Sequence, residues 1–236
     1  MVILFITLAA CKDTDNRAFG DDFDFPALTD ENTIRFTVNV VGDWRQLDIV
    51  ASGGRMVIDW GNGRIQKIED PSSMTGGMVY RYGNKGSYEV KIWAEELQFI
   101  DISGLLLPLS NLYLGNMPRM KSLALNSISD TRELDLNTFC PNVESINIGS
   151  FADLERLEIK DCSRLRSIQV YSNPKLTSIE FGSHPETESL YCSYNDLSSL
   201  SLKSLPALRN IDLSSNERLS HLELNEKTSI SAILIQ

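Results

Sequence analysis

A six-residue beat, Leu-x-x-Leu-x-Leu with aliphatic substitutes, returns thirteen times between Leu97 and Gln236. Clear copies are LERLEI from Leu154, LSSLSL from Leu197 and LRNIDL from Leu208. Successive copies begin 10 to 12 residues apart, mostly 11. An amphipathic helix needs apolar residues spaced by three and four over several turns. Here the apolar positions alternate at the end of each copy, which is the period of a strand. Between copies stand GNMPR, KDCSR, YSNPK, GSHPE and SSNER, all rich in turn formers. Each copy is therefore a short strand and a turn. Two copies make one coil of about 22 residues, and such coils stack into a solenoid in which each touches only its neighbours.

Asn173, Asn195 and Asn216 follow alternate copies at one offset, 22 and 21 residues apart. That spacing predicts a stacked asparagine ladder that satisfies buried backbone groups and holds the coils in register. The fifth position of each copy points outward. One set of alternate copies presents Asp101, Ala124, Asn147, Gln169, Tyr191 and Asp212; the other presents Tyr113, Asp135, Glu158, Glu180, Ser201 and Glu223. Asp135, Glu158, Glu180 and Glu223 form an acidic column, either a solvated face or a surface for cations and basic partners, with Arg132, Arg156 and Lys160 neutralising part of it. Tyr171, Tyr191 and Tyr194 fall on adjacent coils. They are the candidate ligand-binding residues, because exposed Tyr is enriched at interfaces; the alternative is that they stack on one another.

Residues 32–94 read differently. In TIRFTVNV, Ile34, Phe36, Val38 and Val40 share one face. MVIDWGNGRIQKI places two apolar runs around Gly61-Asn62-Gly63, a hairpin signal. MVYRYGNKGSYEVKIW repeats the arrangement, with its turn from Gly83 to Gly86. Short strands with glycine turns predict a small β-sandwich. DWGNG at 59–63 followed by YRYGNKGSYEVKI at 80–92 resembles the polycystic-kidney-disease (PKD) domain. That resemblance implies a non-catalytic extracellular spacer or binding module. Asn62 stands where the family has Asp, which removes a carboxylate from that turn. LYCSYNDLSSLSL resembles the leucine-rich repeats of bacterial surface proteins, a resemblance covering residues 97–236 within a solenoid domain expected at 95–236. The fold class is thus mainly β: a PKD-like or immunoglobulin-like sandwich followed by a leucine-rich-repeat solenoid. Almost no linker separates Trp93 from Leu97, so the sandwich is expected to abut the first coil and cap it. The far end, ISAILIQ, carries no obvious polar cap, which predicts weak self-association there.

Ahead of these segments, Val2 to Ala10 is an apolar run too short for a membrane span. Residues 1–10 read as a signal peptide. Leu8-Ala9-Ala10-Cys11 resembles a lipobox, implying cleavage before Cys11 and its lipidation, although no basic residue precedes the apolar run. Residues 11–31 are acidic and poor in apolar side chains, the composition of a flexible tether. Lys12-Asp13 after the lipid cysteine resembles the export signal of Bacteroidetes-type surface lipoproteins. Localisation at the outer membrane, facing outward, follows from that resemblance.

The remaining residues narrow the function. The net charge is −10 without a Lys/Arg cluster, which argues against nucleic acid. Cys140, Cys162 and Cys192 make no zinc spacing, and no metal or cofactor is expected. Cys140 and Cys162 lie 22 residues apart, leaving open a disulfide or two buried thiols. The two histidines, His184 in a turn and His221 at an outward position, sit in no catalytic motif, and no nucleophile elbow, zinc or phosphate-loop signature occurs. The sequence therefore predicts a non-enzymatic, lipid-anchored surface protein that binds an extracellular protein. The alternatives are a glycan-binding lipoprotein of a polysaccharide-uptake system, since exposed aromatics stack on sugar rings, and a structural envelope component.

Overall fold

The computed structural model describes residues 25, 27–29, 32–43, 46–74, 77–94, 96–103 and 107–235. Cys11 and the rest of the expected signal and lipidation segment lie outside the described residues. The first strands are β1 (Thr33–Val40), β2 (Gln46–Ser52), β3 (Met56–Asp59), β4 (Ile65–Ile68), β5 (Met78–Arg81) and β6 (Gly86–Ala94). Then come β7 (Phe99–Ser103), β8 (Leu109–Leu114), β9 (Ser122–Asn126), β10 (Glu133–Asp135), β11 (Ser145–Gly149), β12 (Arg156–Ile159) and β13 (Ser167–Tyr171). The last are β14 (Ser178–Phe181), β15 (Ser189–Tyr191), β16 (Ser199–Leu202), β17 (Asn210–Asp212), β18 (His221–Leu224) and β19 (Ala232–Leu234).

From β7 onward the chain is a β-solenoid of about six turns. Parallel strands β7, β9, β11, β13, β15, β17 and β19 stack in register, Ser122 beside Ser145, Ser145 beside Ser167 and Ser167 beside Ser189. Their inward residues, among them Ile100, Leu123, Ile146, Ile168 and Leu190, are fully buried. The opposite wall is broken: β10, β12 and β14 form one sheet, and β16 and β18 another. Both walls contribute inward side chains to one apolar cluster that also includes the N-terminal unit.

In the N-terminal unit, Ile34, Phe36, Val38 and Val40 are buried, as their alternation requires. β3 and β4 pair antiparallel around Gly61-Asn62-Gly63, the predicted hairpin. The second expected hairpin is corrected. β5 pairs with β2, whereas β6 pairs with β1 and β3, so the 83–86 turn carries the chain from one sheet to the other. Aromatic packing accounts for the crossing. Tyr82 is buried just after β5, its hydroxyl donates to the Trp60 carbonyl at 3.2 Å, and its ring stacks on Tyr88 at 4.4 Å.

The junction near residue 95 is closer than abutment. β7 pairs antiparallel with β2 on one side and parallel with β9 on the other. One nine-stranded sheet thus runs β19-β17-β15-β13-β11-β9-β7-β2-β5, and β8 adds to the second sheet, β4-β3-β6-β1-β8. The first coil supplies an edge strand to each N-terminal sheet. At the far end Ile233, Leu234 and Ile235 are about half exposed, at 44%, 53% and 50%.

Candidate binding face

The nine-stranded sheet turns its corner through one left-handed residue per coil: Ser127, Ser150, Ser172, Tyr194 and Ser215, with φ between 57° and 62°. At each corner but the last, the backbone N–H donates to a carbonyl of the next coil, at 3.1 Å for Ser127, Ser150 and Ser172 and 3.0 Å for Tyr194. The left-handed region costs an L-residue roughly 1–2 kcal/mol, and a bulky residue there is an outlier. Four corners carry a small polar side chain. The fifth carries Tyr194, and it is 62% exposed.

Behind that corner stand the three asparagines. Asn173 accepts from the Phe151 N–H at 2.9 Å and donates to the Ile148 carbonyl at 3.2 Å. Asn195 accepts from the Asn173 N–H at 3.1 Å and donates to the Val170 carbonyl at 2.8 Å. Asn216 accepts from the Leu197 N–H and donates to the Cys192 carbonyl at 2.6 Å. All three are buried. Each amide clips its own coil to the strand of the coil before. The same position holds Ile128 and Phe151 in earlier coils, where apolar packing takes over.

The three candidate tyrosines differ in kind. Tyr191 is 39% exposed and stands in register between Gln169 and Asp212. Tyr194 follows in the same coil. Tyr171 is only half-buried: its hydroxyl donates to Asn126 Oδ1 at 2.9 Å, two coils away. A β-carbon on the intervening Gly149 would lie 2.6 Å from the Tyr171 ring, so glycine clears a seat for that ring. Among the described residues none of the three rings stacks on another. The outward column of this face holds one exception, Ala124, which is only 8% exposed.

The acidic column on the opposite wall is matched by cations of its own chain. Arg156 pairs with Glu133 at 2.8 Å and with Glu158 at 3.4 Å. Lys160 bonds Glu180, and Lys203 pairs with Glu223 at 3.0 Å. Those hydrogen bonds to lysine hold the Glu180 and Glu223 carboxyls below the usual carboxylate range. The column is also interrupted, because β14 and β16 do not pair. Asp135 heads the column, its carboxylate accepting from the Asn137 N–H at 2.8 Å.

Gly182 N–H donates to His184 Nε2 at 3.1 Å, so the ring proton sits on Nδ1, 3.0 Å from the Cys162 carbonyl. His184 is fully buried, and burial pushes its imidazole below the ordinary histidine range against the opposing pull of that carbonyl. This turn histidine is a structural plug, a role its sequence context did not reveal. His221 is exposed. Cys140, Cys162 and Cys192 are free and buried. The Cys162 thiol points at the Leu136 and Cys140 carbonyls, and burial pushes it up to about 12, the range of an unreactive thiol.

Fold and face together define a β-solenoid with one aromatic-bearing sheet and a cross-bonded acidic wall. Comparison with protein-family models, curated proteins and solved structures finds no match to this chain.

Proposed function

We propose that this chain is a non-catalytic, lipid-anchored cell-surface protein whose leucine-rich-repeat solenoid recognises an extracellular protein through Tyr191 and Tyr194. The observation that carries this reading is Tyr194. It occupies a strained corner that the equivalent coils fill with serine, and it directs its ring to solvent. The left-handed backbone is common to all five corners, but a bulky exposed ring placed on it at a cost in strain points to function. Tyr also brings large contact area at low entropy cost. The N-terminal unit acts as a PKD-like spacer, and Cys11 as the lipid anchor. A glycan is the second reading, favoured by the flat exposed rings beside Gln169 and Asp212, which together offer stacking and hydrogen bonds.

The test uses the full chain beside a Tyr191→Ala/Tyr194→Ala variant, both immobilised and exposed to purified extracellular-matrix proteins and a polysaccharide panel. A protein captured by the wild type and lost by the variant supports the first reading, and a polysaccharide the second. Equal capture by both chains removes the Tyr face from the argument. For the anchor, metabolic labelling with palmitate should mark the wild type and spare Cys11→Ala.

A further inference from the structure

The nine-stranded sheet has a second outward column, on the side of the sheet away from Tyr194. The residue just before each strand of β9, β11, β13, β15 and β17 stacks on its counterpart: Lys121, Glu144, Arg166, Glu188 and Arg209. Backbone bonds fix the stacking, each N–H donating to the preceding coil's carbonyl at 2.7 to 2.9 Å. The signs alternate strictly, one charge per coil, roughly 4.8 Å apart along the backbone. Such a column would serve the fold if its members paired with each other. They do not. Arg166 is engaged with Glu186 at 2.7 Å, and Lys121, Glu144, Glu188 and Arg209 form no ion pair or side-chain hydrogen bond among the described residues.

Beside this column runs a trough. One stretch of about 310 Å³ lies between Lys121, Glu144, Arg119 and Arg164. A second, of about 280 Å³, continues from Glu144 and Arg164 to Arg166 and Glu186. Arg119 is neutralised by Glu96 at 2.6 Å, whereas Arg164 has no ion pair among the described residues. The trough thus presents Lys121, Arg164 and Glu144 without an ion pair among the described residues, on a chain whose net charge is −10.

We propose that this trough, together with the column that continues past it to Glu188 and Arg209, docks an extended polypeptide segment of mixed charge, its carboxylates facing Lys121 and Arg164 in the trough and Arg209 beyond it, and its cations facing Glu144 and then Glu188. The alternation decides between partner classes. A polyanion, whether nucleic acid or acidic polysaccharide, would set like charges against Glu144 and Glu188, and a polycation would oppose the basic members; like-charge juxtaposition is how an interface rejects a wrong partner. Only a chain carrying both signs matches every member. The inference rests on the reading that the solenoid recognises a protein, and it names the chemistry of the segment recognised.

The probes are fluorescein-labelled peptides, (Gly-Glu-Gly-Lys)4, (Gly-Glu)8 and (Gly-Lys)8, with heparin as competitor, titrated against the full chain by anisotropy at low and high salt. The mixed peptide should bind roughly tenfold tighter than either single-sign peptide, weaken with salt and resist heparin. Lys121→Glu/Arg164→Glu should lose that preference and gain affinity for (Gly-Lys)8 while keeping the wild-type melting transition, and Glu133→Gln/Glu158→Gln on the opposite wall should leave the preference unchanged. Equal binding of all three peptides, or tighter binding of (Gly-Glu)8 and displacement by heparin, overturns the proposal. The Tyr191→Ala/Tyr194→Ala variant should keep the peptide preference. If a captured protein is lost by the Tyr variant and kept by the charge variant, the trough proposal falls and the Tyr reading stands.

Discussion

At the scale of single residues, the solenoid is held by polar groups placed where the backbone would otherwise go unsatisfied. Asn195 shows the economy: one side chain serves the Asn173 N–H and the Val170 carbonyl, both inside the coil stack. Replacing it with Ala orphans two buried backbone groups at about 1–3 kcal/mol each. Asn195→Ala should therefore lower stability by about 3 kcal/mol in urea denaturation; a loss under 1 kcal/mol would mean water replaces the amide. Tyr194 makes the opposite case. Tyr194→Gly relieves the left-handed corner and should raise stability by up to about 1 kcal/mol, Gly's greater unfolded entropy offsetting part of the relief. The same change should abolish partner capture. A Tyr194→Gly chain that is less stable than wild type would show the ring to be a packing residue instead. The asparagine spacing was readable in the sequence because each coil repeats it. The strain at Tyr194 was not, since φ is a property of the corner, and the serines that share the conformation carry no signature of it.

At the scale of elements, strand existence was legible and strand partnership was not. Alternation identifies which residues of β5 and β6 lie inward, yet it is silent on which strand each one bonds, so a turn between sheets and a hairpin look alike. The break between β14 and β16 was equally hidden, as was the turn after β14, where His184 and Gly182 act through ring nitrogens and backbone clearance. A β-carbon at Gly182 would lie 1.7 Å from the Lys160 carbonyl oxygen. Gly182→Ala must therefore shift backbone, and should cost several degrees of melting temperature, roughly 2–4 °C per kcal/mol lost in a chain of this size. His184 adds a dependence on pH. Its folded imidazole resists protonation, and its unfolded value is the ordinary 6.5. The unfolded state binds the proton more readily, so the stability His184 contributes is complete above about pH 6.5 and declines as pH falls toward the lowered folded value. The Glu180 and Glu223 carboxylates act only lower, below their ordinary 4.5. Denaturation midpoints taken between pH 7.5 and 5 should fall in the wild type and stay flat in His184→Gln. A flat wild-type profile would show the plug to accept charge freely.

At the scale of the whole molecule, the N-terminal strands and the solenoid share their sheets. The sequence shows a change of period near residue 95, which reads as a boundary. Hydrogen bonding ignores it, since β2 and β7 share a ladder, as do β1 and β8. A chain starting at Glu96 would leave β7 and β8 without those partners and uncover the apolar end of the first coil. It should bind the dye ANS and melt broadly, whereas the full chain melts in one cooperative step by calorimetry. A sharp transition in the truncated chain would restore the boundary.

The position of β1 has a mechanical meaning. It lies between β6 and β8, antiparallel to both, and the β6 ladder runs its whole length from Thr33 to Val40. A protein tethered ahead of Thr33 and gripped by a partner on the solenoid would pass the load through this strand. Pulled along its axis, β1 cannot be peeled from one neighbour at a time; both ladders must shear together. The shared sheets then carry the tension onward into the coils without crossing a hinge.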